Sequence, residues 1–246
     1  MAGFWRLFRE QLRIGHIFWG VVSYAAVSIV VNLLIRQQAG AAQIQADMIL
    51  GGVARSLMRG DIDYLAYSRW LVILAFPMIV ISLLAAQARY SFLFTLLRVG
   101  SIKRIWRSLC LTVLLHILLY VLLLGGLTMA FANARLQAAS MTMLLLLFIH
   151  LSLVGVIALR LLLMRAHRTA PVVAILMVEG LTFFAAQRCP GVASFMPGTW
   201  SMYLQSSFST GAGFPVNLVL LAELAFICVC SFAVPDLRTS TVEEGR

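Results

Sequence analysis

The chain has 246 residues, 62% of them hydrophobic and only 11% charged, with a net charge of +10. Soluble domains run at roughly 45–50% apolar and 25% charged usage, so this composition excludes an ordinary soluble fold and points to an all-α integral membrane protein. The cations gather at the ends of apolar runs, as the positive-inside rule places them, and the distribution excludes a nucleic-acid binder.

A spanning helix needs about 20 mainly apolar residues. Six windows qualify, 17–35, 70–88, 109–131, 141–163, 170–187 and 214–234, and together they fill a single transmembrane domain over 1–246. Residues 1–16 precede the first window, and Phe4 to Arg13 place Arg6, Arg9, Glu10 and Arg13 on one side with Phe4, Trp5, Phe8 and Leu12 on the others. That pattern predicts a helix lying in the membrane interface. Ile17 to Ile35 is too long for the apolar core of a signal peptide, and no small-residue cleavage site follows it, so it reads as the first span. The connection 36–69 is long, and Ile44, Met48, Leu50, Val53, Leu57 and Met58 predict a helix on the outer surface.

Between the second and third windows lies the one cluster of like charge, Leu93 to Leu109, with Arg98, Lys103, Arg104 and Arg107 and no acidic residue. Gly100 is suited to the left-handed position that ends a helix, and Ser101 to the cap of the next. After the cap, Ile102, Ile105 and Trp106 recur on one side and Lys103, Arg104 and Arg107 on the other, which predicts a short amphipathic helix at an elbow. The later connection 188–213 is rich in Pro, Gly and aromatic residues. It predicts short half-buried or re-entrant helices, a form tolerated where protein covers the backbone. Residues 235–246 form a polar tail, where Glu243 and Glu244 read as solvated charge.

Counting Lys and Arg on alternate sides puts 13 of the 19 with the N-terminus, the elbow, the fourth connection and the tail. Both termini are therefore expected on the cytoplasmic side. The four cysteines, Cys110, Cys189, Cys228 and Cys230, read as small packed residues and not as a disulfide framework. A phosphate-binding loop needs a lysine followed by Ser or Thr, and the single lysine, Lys103, is followed by Arg104. No serine-protease motif is present. His116 and His150 fall inside spans without a second His or a carboxylate at i+3 or i+4, so each reads as a packed histidine hydrogen-bonded across helices and no metal site is expected.

Glu179 and Glu223 lie near the middle of the fifth and sixth spans, where a charge costs roughly 2.5–3.5 kcal/mol on insertion scales. They either line a path for a cationic or amphipathic substrate or make structural hydrogen bonds, for example to Tyr, Ser or an arginine at a helix end.

The layout resembles the membrane subunits of ABC transporters of the type-2 permease class. The stretch Arg98 to Ser108, RVGSIKRIWRS, is similar to a pattern of small permeases of antimicrobial-peptide export and immunity systems. The resemblance implies an interfacial N-terminal helix, six spans, a coupling helix at Ser101 to Arg107 and external re-entrant helices at about 191–208. It further implies a permease half in the bacterial cytoplasmic membrane that moves a hydrophobic or amphipathic cargo. Its partners would be a separate ATP-binding cassette ATPase, which carries the ATP and magnesium, and a second permease copy, identical or not. No enzymatic activity or cofactor is expected in this chain. Ser101, Ile102, Arg104, Ile105, Trp106 and Arg107 would bind the ATPase, with the apolar side as anchor and the arginines meeting acidic residues. The long connection 36–69 departs from many relatives, in which it is short. The alternative reading is an ATP-independent secondary transporter, or a membrane immunity or binding subunit, that uses Glu179 and Glu223 as proton or cation sites.

Overall fold

A computed structural model of the chain describes residues 14–39, 50–53, 63–131, 138–164, 170–189, 195–207 and 215–234. Within them the fold is all-helical, with six long helices: α1 (Ile14–Ala39), α2 (Tyr64–Val99), α3 (Ile102–Phe131), α4 (Ala138–Met164), α5 (Ala170–Arg188) and α6 (Val216–Phe232). Four of them, α2 to α5, are long and apolar enough to cross a membrane; α1 and α6 contain shorter apolar helices, Gly20–Leu34 and Val216–Phe232. The predicted interfacial helix (1–16, apart from its last residues in α1), most of 36–69 and the tail 235–246 lie outside the described residues.

The helix α4 is the hub. It packs against α3, α2, α6 and α5, while α1 packs mainly on α3. Gly155 of α4 sits where α2, α3 and α4 meet: a Cβ there would stand 2.7 Å from Ile117 Cδ1 and 3.0 Å from Ile81 Cδ1. A small residue at the contact lets helices approach closely when no hydrophobic drive separates protein from lipid. The outer helices bury one stripe each. On α6 it is Val216, Val219, Glu223 and Ile227, spaced three or four apart, and on α5 it includes Val172, Glu179, Phe183 and Ala186. Leu221, Phe226 and Val229 of α6 and Met177 and Leu181 of α5 are exposed on other faces, as side chains meeting lipid would be.

Several polar side chains of the helices find partners on their own or a neighbouring helix. The hydroxyls of Ser28, Ser82, Thr112 and Thr142 each donate to the carbonyl four residues earlier on their own helix. Asn32 donates to the Ser28 carbonyl at 2.7 Å and reaches the Thr128 hydroxyl at 3.5 Å, joining α1 to α3. Pro77 interrupts α2, and having no N–H it leaves the carbonyl four residues earlier, on Ile73, without its helical donor. The buried Tyr120 hydroxyl of α3 donates to that carbonyl at 3.0 Å, so the helix is not broken and is pinned to its neighbour.

Replacing Tyr120 with Phe should therefore destabilise the protein by about 1–3 kcal/mol, the cost of leaving a buried carbonyl unpaired. Pro77→Ala restores the helical N–H, and unfolding in detergent of the single and double variants should show Tyr120→Phe costing less in the Pro77→Ala background.

Candidate functional site

The basic elbow is sharper than a loop followed by a separate helix. The second helix runs past its apolar window to Val99, Gly100 closes it at φ 64° with its N–H donating to the Leu96 carbonyl, and α3 starts at Ile102. A side chain at a positive φ is strained, which is why glycine is needed at this turn. Arg104 and Ile105 donate their backbone N–H groups to the Ser101 carbonyl, so Ser101 opens the new helix as its sequence position implied. There is no distinct coupling helix: Ser101 precedes, and Ile102 to Arg107 open, a 30-residue helix that continues to Phe131.

The two sides of that turn are used differently from expectation. Ile105 and Trp106 are buried, Trp106 completely, within the core formed by the chain's own helices, and Ile102 packs against that core. The apolar side is thus occupied internally and is not available as a docking anchor. Lys103, Arg104 and Arg107 remain exposed. Arg107 also lies over the Phe232 ring at 5.2 Å, tying the start of α3 to the end of α6. Arg160 donates to the Ala233 carbonyl at 2.9 Å and Arg89 donates to the Leu162 carbonyl, so two cations cap the carbonyl ends of α6 and α4 at this end of the bundle.

About fourteen residues up α4 from Met164, roughly 21 Å at 1.5 Å per residue, the second cluster appears. His150 of α4 is 1% exposed, Glu179 of α5 6% and Glu223 of α6 0%. His150 Nδ1 lies 2.7 Å from Glu223 Oε1, and Nε2 lies 3.4 Å from Glu179 Oε2. The two carboxylates that the sequence places on separate spans are thus brought to opposite edges of one imidazole. The partner is neither Tyr, Ser nor an arginine but the histidine already read as bonded across helices. In the sequence each of the three is ionisable and near the middle of an apolar window, but nothing in their spacing relates them.

The segment 195–207 covers the Glu179 side. Its two short 3-10 turns, Pro197–Thr199 and Tyr203–Gln205, fit the expectation of short helices in this connection, while 190–194 and 208–214 lie outside the described residues. Gly198 donates its N–H to the Thr182 hydroxyl at 2.9 Å, and that hydroxyl donates to the Val178 carbonyl. A Cβ on Gly198 would collide with the Glu179 carbonyl oxygen and stand 2.7 Å from the Phe183 nitrogen, so only glycine fits against α5 here. The contact lies nine residues, about 14 Å, in from Arg188, so the segment lies back along α5. It is held on its other side by Leu204 N–H to the Gly51 carbonyl and Gln205 Nε2 to the Val53 carbonyl, at 2.9 and 2.8 Å. On α2, Tyr67 stacks on Phe183 with ring centroids 4.4 Å apart, and its hydroxyl sits beside Gly180.

No family model, curated protein or solved structure matches this chain.

Two outcomes follow from this geometry. Trp106→Ala should cost about 3–5 kcal/mol of stability, as for a large buried side chain, read as a lower unfolding temperature of the chain by itself. Gly198→Ala should cost about 1–3 kcal/mol through overpacking, and a cysteine reporter at Thr182 should become more reactive toward a soluble maleimide as segment 195–207 lifts from α5.

Proposed function

We propose that this chain is the permease half of an ATP-driven exporter, with a separate ATP-binding cassette ATPase docked at the elbow and a second permease copy completing the path. The elbow carries the reading. Two helices of 36 and 30 residues are joined by Gly100 and Ser101 alone, and an exposed, purely cationic face sits at the joint. A force applied there reaches two long rods directly, because no slack loop lies between them.

In this reading all six helices cross the bilayer with both termini in the cytoplasm. The 17 residues of α6 span about 26 Å, a little less than a hydrocarbon core of about 30 Å, a mismatch that local thinning accommodates. ATP and magnesium act on the partner ATPase, and this chain contributes motion. Lys103, Arg104 and Arg107 meet acidic residues of the ATPase, while buried Ile105 and Trp106 hold the lever rigid and pass its tilt into the core. A hydrophobic or amphipathic cargo, a peptide or lipid-like molecule, moves between the two permease copies.

Lys103→Glu combined with Arg104→Glu should abolish co-purification of the ATPase from mild detergent while leaving the chain monodisperse. The charge-preserving pair Lys103→Arg and Arg104→Lys should keep it. Full ATPase recovery with the reversed charges would sink the docking assignment.

The buried histidine between two glutamates favours a second reading, an ATP-independent proton-coupled transporter. Substrate movement in vesicles that follows an imposed proton gradient without ATP would select it over the first.

A further inference from the structure

The cluster of His150, Glu179 and Glu223 has a charge balance that its own residues leave open. With imidazole neutral and both carboxylates ionised the group carries −2, and protonating the imidazole reduces this to −1. A net charge surrounded by protein and hydrocarbon is expensive unless paired. One more positive charge makes the group neutral. The atoms that could receive it are present: Glu179 Oε2 and Glu223 Oε2 are buried without a hydrogen-bond partner among the described residues. So is His150 Nε2, which faces Glu179 across 3.4 Å.

The identity of that charge follows from the arrangement. The two carboxylates bind opposite edges of the ring, so the imidazole separates them and they do not converge on a common centre. Among the described residues no group of three or more His, Cys, Asp or Glu side chains could hold a metal ion. A proton needs no such convergence, since it occupies a single oxygen.

Among the described residues, several titratable and polar groups stand around the site on the packed elements. From α2 Tyr67 lies beside Gly180 on the Glu179 side, and Tyr64 packs against Phe184 of α5. From α3, His116 bonds to the Thr112 carbonyl and lies next to Gly20 of α1, while Cys110 sits with Cys230 and Arg160 towards the elbow end. The covering turns bring Thr199, Ser201 and Gln205, which are polar and uncharged.

We infer that Glu179, His150 and Glu223 form a binding site for one exchangeable proton in the middle of the bundle, held as a carboxylic acid O–H beside an imidazolium–carboxylate pair. Uptake takes a proton from water and brings the group from −1 to neutral; release returns it. Because the three residues stand on α4, α5 and α6, the bound proton favours closure of these helices, and its loss leaves a net negative charge that favours their separation. The inference rests on neither transport reading, since it concerns the protein without cargo or ATPase.

Infrared difference spectroscopy of the chain in lipid nanodiscs tests it. The sequence has five glutamates, Glu10, Glu179, Glu223, Glu243 and Glu244. Substituting Glu10→Gln, Glu243→Gln and Glu244→Gln and labelling with carboxyl-13C glutamate leaves the site's two carboxyls as the only labelled acids. The expected result is an isotope-shifted carboxylic acid C=O band worth one group per chain at neutral pH, which is lost as pH is raised and unaffected by sodium or potassium at constant pH. Absence of the band at neutral pH, its persistence in Glu179→Gln/Glu223→Gln, or its loss on adding sodium or potassium would each overturn the proposal.

Discussion

Hydrocarbon offers neither hydrogen-bond partners nor counterions, so a chain that lives in it must satisfy its polar groups from within. Much of this fold can be traced to that requirement. Hydroxyls fold back on their own helices, and Asn32 bridges α1 to α3. The carbonyl that Pro77 strands on Ile73 draws a hydroxyl from α3. What would be a defect in one helix thereby becomes a fixed point between two. The same pressure gathers the most expensive groups, two glutamates and a histidine, onto three faces that meet.

The two notable regions are mechanically related. At the elbow, Arg107 stacks on Phe232 and Arg160 caps Ala233, both at the end of α6, which carries Glu223 seven residues after its start at Val216. From the side away from the elbow, the turns at 195–207 reach in along α5 to the level of Glu179. Hence α4 stands between a helix gripped from the elbow side and one gripped from the far side, and His150 hydrogen-bonds to Glu223 of the first and faces Glu179 of the second across 3.4 Å. Any displacement of α6 relative to α4 changes the 2.7 Å contact between Glu223 and His150. Short polar contacts inside a bundle are sensitive to such shifts, because the attraction is strong where dielectric is low.

Burial of Trp106 changes the character of the elbow. An exposed tryptophan would make the joint a socket for another protein's groove. With Ile105 and Trp106 inside the core, the joint is stiffened from within, and its outward face carries charge alone. Charge gives orientation and encounter rate more than tight affinity, so any docking at this face, as proposed above, would rest on charge.

The sequence alone determined the elements that depend on local chemistry. Length and apolarity marked six windows, each of which is a helix; Gly100 and Ser101 marked the break because backbone conformation and capping are properties of one or two residues. It also singled out Glu179 and Glu223, since a charge amid apolar residues is conspicuous in any arrangement. What it left open was direction. At the start of α3 periodicity marks an apolar side but not what covers it, so the packing of Trp106 into the chain's own core was not legible. The spans are apolar nearly all round and carry no stripe to show which side faces protein, so the meeting of Glu179 and Glu223 at His150 could not be read from periodicity either. Residues 29 and 73 positions apart along the chain come together only through the packing of α5 and α6 on α4. That packing depends on side-chain volumes and close approaches such as Gly155 and Gly198, which exist only between helices, and the tertiary structure alone decided it.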